Sequence, residues 1–241
     1  MIVTILLAGI ILSGCLVFFL PLKDKTIKLL LAFTGAYLLS LSVLKLIPEV
    51  YLSGFTDAGF FVLAGFFIQI IIEFFSGGIE HGHIHAHKNS ERAFPVTIMT
   101  ALSVHSFLEG LPLQQASGNT CDCLFPPLLA GIVLHNIPIS ISLMLMLISA
   151  GLKKGLALLW LTLFALMTPA GVVVGTLLQD QDVAGSLTGE VAVYSLALVI
   201  GIFLHISTTI LFETGEEHRF NFNKLIAILL GVGVSIIGLS L

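Results

Sequence analysis

The sequence predicts an all-α, polytopic membrane protein with eight transmembrane helices in one bundle and both termini extracytoplasmic. Three observations carry that prediction. First, 57% of the 241 residues are hydrophobic and 10% charged, and mean hydropathy is +1.09. A water-facing surface needs roughly a quarter of its residues charged, so most of this surface must meet lipid. Second, eight apolar stretches reach or approach the ~20 helical residues that cross a ~30 Å hydrocarbon core. Third, nine of the ten Lys and Arg residues fall in alternate loops, as expected where cytoplasmic loops retain cations.

The stretches run about Ile2–Leu20, Leu29–Leu46, Gly59–Phe75, Val96–Leu113, Pro126–Ile148, Gly155–Leu178, Val191–Phe212 and Leu225–Leu241. The first lacks the positively charged start and small-residue cleavage site of a secretory signal, so it is expected to remain as a spanning helix. Polar or Gly- and Pro-marked loops such as "PLKDK", "GLKKG" and "QDQDVAGSLTGE" punctuate the pattern. Lys23, Lys25 and Lys28 follow span one, Lys88 and Arg92 span three, Lys153 and Lys154 span five, and Arg219 and Lys224 span seven. These loops are therefore assigned to the cytoplasm. The opposite loops carry Glu49, Asp57, Asp122, Asp180, Asp182 and Glu190, with Lys45 the one cation near them. Losing or adding a span would scramble this alternation. Residues 1–241 read as a single transmembrane domain, with a histidine-rich cytoplasmic loop at about 76–93.

Scattered basic residues form no phosphate-binding patch, which argues against nucleic acid as a partner. Nor do three cysteines make a disulfide framework: Cys15 lies in an apolar span, and Cys121 and Cys123 flank Asp122 in a loop.

Ionisable groups at membrane depth are costly, and those that persist face a protein interior or a water-filled path. Four stand out: His105 and Glu109 in span four, His135 in span five and His205 in span seven. His105 and Glu109, four residues apart, share one helix face. At ~1.5 Å per residue, His105 and His135 each lie roughly 12 Å below the outer ends of their helices. A short outer loop makes spans four and five antiparallel neighbours, so two imidazoles and a carboxylate are expected to converge. That is a ligand set for a borderline divalent cation such as Zn²⁺, although Fe²⁺, Mn²⁺, Co²⁺ and Cd²⁺ accept the same donors. Ser106, Asn136 and carbonyls freed near Gly110, Pro112 and Pro138 are candidates to complete the coordination.

The competing structural explanations are specific. His105 and Glu109 alone would make an internal hydrogen bond, and a level histidine on the next span argues against that explanation. His205 lies deeper and on its own reads as a helix–helix hydrogen-bonding group; its functional role would be a station on an exit route. In the loop, His81, His83, His85 and His87 alternate in "EHGHIHAHK", offering several imidazoles to a passing ion. An intramembrane zinc-dependent hydrolase would use the same metal to activate water, but the chain has no H-E-x-x-H. A metal sensor without transport is the other alternative.

"HSFLEG" resembles the H-[SN]-x-x-[ED]-G pattern of the ZIP (Zrt/Irt-like) divalent-metal transporters, and "HNIP" resembles their H-x-x-P-[ED] pattern. "TPAG" (Thr168–Gly171) and "GAYLLSLSVLKLIPE" (Gly35–Glu49) are similar to stretches of the family's helices six and two. With the eight spans and the histidine loop, the resemblance covers essentially the whole chain. It implies a transport site of His105, Glu109 and His135 with Ser106 and Asn136 beside it, and uptake of zinc across the cell membrane into the cytoplasm. It also implies a homodimer and elevator-like alternating access, with helices one, four, five and six moving against two, three, seven and eight. Glu49 would stand near the entrance. Ile139 and Thr168 replace acids that complete a binuclear centre in some members, which implies a single metal here. Lys45 stands where relatives often have an entrance histidine, and Tyr37 where they can have Met or Phe.

Overall fold

A computed structural model describes residues 1–76, 96–113, 125–180, 188–212 and 222–240. His81, His83, His85, His87, Cys121 and Cys123 lie outside the described residues. The described regular structure is all helical: α1 (Ile2–Phe18), α2 (Asp24–Leu52), α3 (Ala58–Ser76), α4 (Val96–Leu113), α5 (Phe125–Ser149), α6 (Lys154–Leu178), α7 (Thr188–Phe212) and α8 (Phe222–Ser240). Helices satisfy their own backbone groups, as a bilayer requires. Seven are long and apolar enough to cross a membrane, and α1 is shorter.

Where the boundaries depart from the sequence expectation, proline supplies most of the reason. The shorter α1 ends in a 3₁₀ turn at Leu16–Phe18, because Pro21 restricts Leu20 to extended backbone. By contrast α2 is longer than Leu29–Leu46. It begins after the extended Lys23 with Asp24 in its first turn, where a negative charge complements the helix dipole. It also continues past Pro48, which cannot donate to the carbonyl one turn earlier. The strain is taken up by a π-helical turn over Ser42–Leu46, closed by Ile47 N–H donating to the Ser42 carbonyl. In α6, Pro169 leaves the Ala165 carbonyl without its usual donor, and the helix breaks at Leu166 before resuming at Met167.

Association in lipid depends on close packing and interhelical hydrogen bonds, because lipid tails are as apolar as leucine. Glycines permit the closest crossings. A methyl group at Gly65 of α3 would collide with the Leu198 carbonyl of α7, and one at Gly201 of α7 with the Val62 carbonyl of α3. Gly110 of α4 and Gly171 of α6 form a second reciprocal pair, against the Thr168 and Phe107 carbonyls. A third crossing sets Gly231 of α8 on the Phe33 carbonyl of α2. In α1, Ser13 Oγ lies 2.5 Å from Ser140 Oγ of α5 in a buried hydrogen bond. Lys224, opening α8, donates to the Ile210 and Leu211 carbonyls at the end of α7 (3.1 and 3.2 Å).

These contacts sort the helices into two packed sets. In one, α3 packs on α7 and α2 on α8 and α7; in the other, α1 packs on α5 and α6, and α4 on α6. A core of Ile10, Met99, Leu102, Ile139, Leu143, Leu161 and Phe164, among others, draws its buried side chains wholly from α1, α4, α5 and α6. The larger core joins α2 and α7 to Leu128, Ile132 and Ile141 of α5, with Leu6 of α1, Ala58 of α3, Leu113 of α4 and Val172 of α6. Contacts of α2 with α5 and of α3 with α4 bridge the sets. Phe60, Phe67 and Phe74 on α3 and Leu229, Leu230 and Ile237 on α8 are exposed, as lipid-facing side chains are.

Candidate metal centre

The i, i+4 spacing predicted a shared face for His105 and Glu109, and their side chains meet: His105 Nε2 is 3.2 Å from Glu109 Oε1. His135 approaches from α5, its ring centroid 5.9 Å from that of His105 and its plane at 80°. One donor atom from each of His105, Glu109 and His135 lies within 4.8 Å of the others. All three side chains are fully buried. For comparison, a tetrahedral zinc with ligands at ~2.1 Å separates its donors by about 3.4 Å. The His105–Glu109 spacing already fits, and the histidine of α5 needs to close by about an ångström.

The two helices reach this point differently from the expectation of direct neighbours. Backbone packing sets α4 on α6 and α3, and α5 on α1 and α2. Side chains join α4 to α5, the His105 ring edge-on to that of His135 and Met99 and Leu102 in one core with Ile139 and Leu143, whereas α4 and α6 touch at the glycine pair.

A second layer of hydrogen bonds holds Glu109 and His105. Asn136, one position beyond His135, donates from Nδ2 to Glu109 Oε2 (3.3 Å) and to the Ile132 carbonyl (3.0 Å). Its Oδ1 makes no hydrogen bond among the described residues. The same holds for the buried Ser106 Oγ and Thr168 Oγ1. Asn136 thus contacts Glu109, whereas Ser106 is buried on α4 with no hydrogen bond to any of the three. Sequence reasoning missed Gln69. This fully buried residue of α3 accepts at Oε1 from His105 Nδ1–H, 3.2 Å away. The signal was available: "FFIQIIIEFF" places two polar side chains, Gln69 and Glu73, at i, i+4 in an apolar helix.

The remaining candidates lie apart. His205 Nε2 is hydrogen-bonded to Glu73 Oε2 across α7 and α3, and Phe66 stands edge-on to its ring at 5.0 Å. That is the helix–helix role weighed for it, with Glu73 as the partner. Glu49 is partly exposed on α2, its Oε2 4.0 Å from Lys45 Nζ one turn earlier. Tyr37 donates to the Pro127 carbonyl at 3.0 Å, tying α2 to the first turn of α5.

Two comparisons with known proteins place the chain among its relatives. Over 133 residues, 55% of this chain, the sequence is 30% identical to a protein of Danio rerio named zinc transporter ZIP1. The match covers 41% of that relative's length, so the chain spans well under two thirds of it. A family model described as ZIP zinc transporter matches residues 83–238, which include α4 to α7, most of α8 and every member of the three-residue cluster. Family membership sets aside the hydrolase alternative. With more than half of its length matched by that one model, the chain belongs to the ZIP zinc transporter family.

Proposed function

We propose that this protein carries divalent cations, zinc foremost, across the cell membrane into the cytoplasm through a mid-membrane site of His105, Glu109 and His135. One observation carries the reading: two imidazoles and a carboxylate from separate helices bring their donor atoms within 4.8 Å of one another, fully buried. A dehydrated carboxylate in such a place needs a cation, and two neutral imidazoles leave the cluster with a single negative charge for a dication to offset. The ion exchanges water for these donors, with Asn136 holding the carboxylate in place. Protonation of the ligands favours release, since they bind metal only when deprotonated.

The division into two packed sets supports alternating access. A core drawn wholly from α1, α4, α5 and α6 suits those helices to move together against α2, α3, α7 and α8. Ile139 and Thr168, in place of acids, limit the site to one ion. The alternation of cationic loops supports both termini outside, with Glu49 near the entrance and His205, with the histidine loop, on the cytoplasmic side. The transporter is a homodimer whose protomers each form one transmembrane transport domain.

Zinc-dependent uptake into proteoliposomes is the test. Wild-type protein should accumulate zinc, with Fe²⁺, Mn²⁺, Co²⁺ and Cd²⁺ competing to different degrees, and His105→Ala and His135→Ala should abolish uptake while remaining folded. Full uptake by either variant, or binding by the wild type without flux, would sink the reading.

A further inference from the structure

We propose that Gln69 of α3 is a positioning residue for metal binding: it holds His105 in the tautomer and ring orientation that present the Nε2 lone pair to the ion. This rests on the proposed role of His105 as a ligand. Gln69 lies outside residues 83–238, the stretch shared with the family model, and on the opposite packed set from α4 and α6.

The argument begins with hydrogen-bond capacity. A glutamine Oε1 is an acceptor only, so the contact of 3.2 Å with His105 Nδ1 requires the proton to sit on Nδ1. A neutral imidazole carries one N–H, and its other nitrogen is then a lone-pair donor. That nitrogen is Nε2, the atom 3.2 Å from Glu109 Oε1 and on the side of the ring where the cluster converges. Both Gln69 and His105 are fully buried, so no water replaces the acceptor if the amide is removed. In such surroundings a hydrogen bond is strengthened and an orphaned N–H is costly. Ligating histidines generally donate their second ring N–H to an acceptor, which fixes the tautomer and raises ligand basicity; losing that partner typically costs 10–100-fold in metal affinity. Apolar side chains surround Gln69 along α3, in "FFIQIII". A buried amide there without such a role would be a liability in lipid.

The bond also joins the two packed sets. A displacement of α4 by one helical turn, ~5.4 Å, would take His105 beyond the reach of Gln69. In that position the imidazole loses its fixed tautomer, so the site binds metal best where α3 and α4 stand as they do here.

The test uses the full chain in detergent or nanodiscs with zinc alone as probe. In ¹⁵N-histidine spectra of metal-free wild type, the His105 signals, assigned by their loss in His105→Ala, should show Nδ1 protonated. The near-isosteric Gln69→Met should populate both tautomers and weaken equilibrium zinc binding about 10–100-fold, with KM for uptake rising in step. Gln69→Glu, which retains an acceptor, should restore affinity to within about threefold of wild type. A wild-type His105 bare at Nδ1 would overturn the inference without recourse to any variant. So would Gln69→Met with unchanged affinity, or folded Gln69→Glu as weak as Gln69→Met. If wild type binds zinc no better than His105→Ala, the metal-site reading fails instead, and the tautomer spectra still report on Gln69 separately.

Discussion

Replacing Glu109 with glutamine keeps the side chain's shape and removes its charge, which makes it a direct probe of the buried cluster. The donor atoms lie within 4.8 Å of one another, so an ion at their centre sits roughly 2.8 Å or less from the carboxylate oxygen. At an effective dielectric of ~20, the attraction between a carboxylate and a dication at that distance is on the order of 12 kcal/mol. Most of it is offset by the hydration that the ion gives up, and the amide oxygen remains a weak ligand. Removing one member of a buried charge pair costs about 3–5 kcal/mol net, or about 10²–10⁴-fold in affinity at ~1.36 kcal/mol per decade. Equilibrium zinc binding to purified Glu109→Gln, with uptake into proteoliposomes alongside, measures this. A dissociation constant within about threefold of wild type in a folded variant would refute the claim that this carboxylate faces the ion.

Three other outcomes are expected. Asn136→Leu deprives Glu109 Oε2 of its side-chain donor and should weaken zinc binding about 10–100-fold, read by the same titration; unchanged binding would show that the carboxylate needs no such support. Zinc at a hundredfold excess over its dissociation constant should stabilise the wild type by about 2.7 kcal/mol, seen as a rise in Tm, and His135→Ala should lose that rise. Gly201→Ala drives a methyl group into the Val62 carbonyl and should cost about 1–3 kcal/mol through forced separation of α3 and α7. Gly233→Ala, whose new methyl meets nothing within 4 Å, should leave Tm unchanged or slightly raised; equal losses in the two variants would contradict the packing argument.

Much of this protein was legible in the residues themselves. Composition and apolar length determined that the chain is helical and membrane-embedded, because the bilayer leaves few other ways to satisfy a backbone. The i, i+4 spacing put His105 and Glu109 on one face for the same local reason, and counting residues from the helix ends put His135 level with them. Tertiary structure decided what lies between helices. It set the α4 backbone against α6 and α3, through the reciprocal approach of Gly110 and Gly171, and left α5 to meet α4 through side chains, the two histidine rings among them. It assigned Glu73 as the partner of His205, and it brought Gln69, distant in sequence, to the far nitrogen of His105. Helical periodicity governs neighbours a turn apart on one rod, but which rods touch, and at what separation, depends on the joint packing of side chains that no single segment contains.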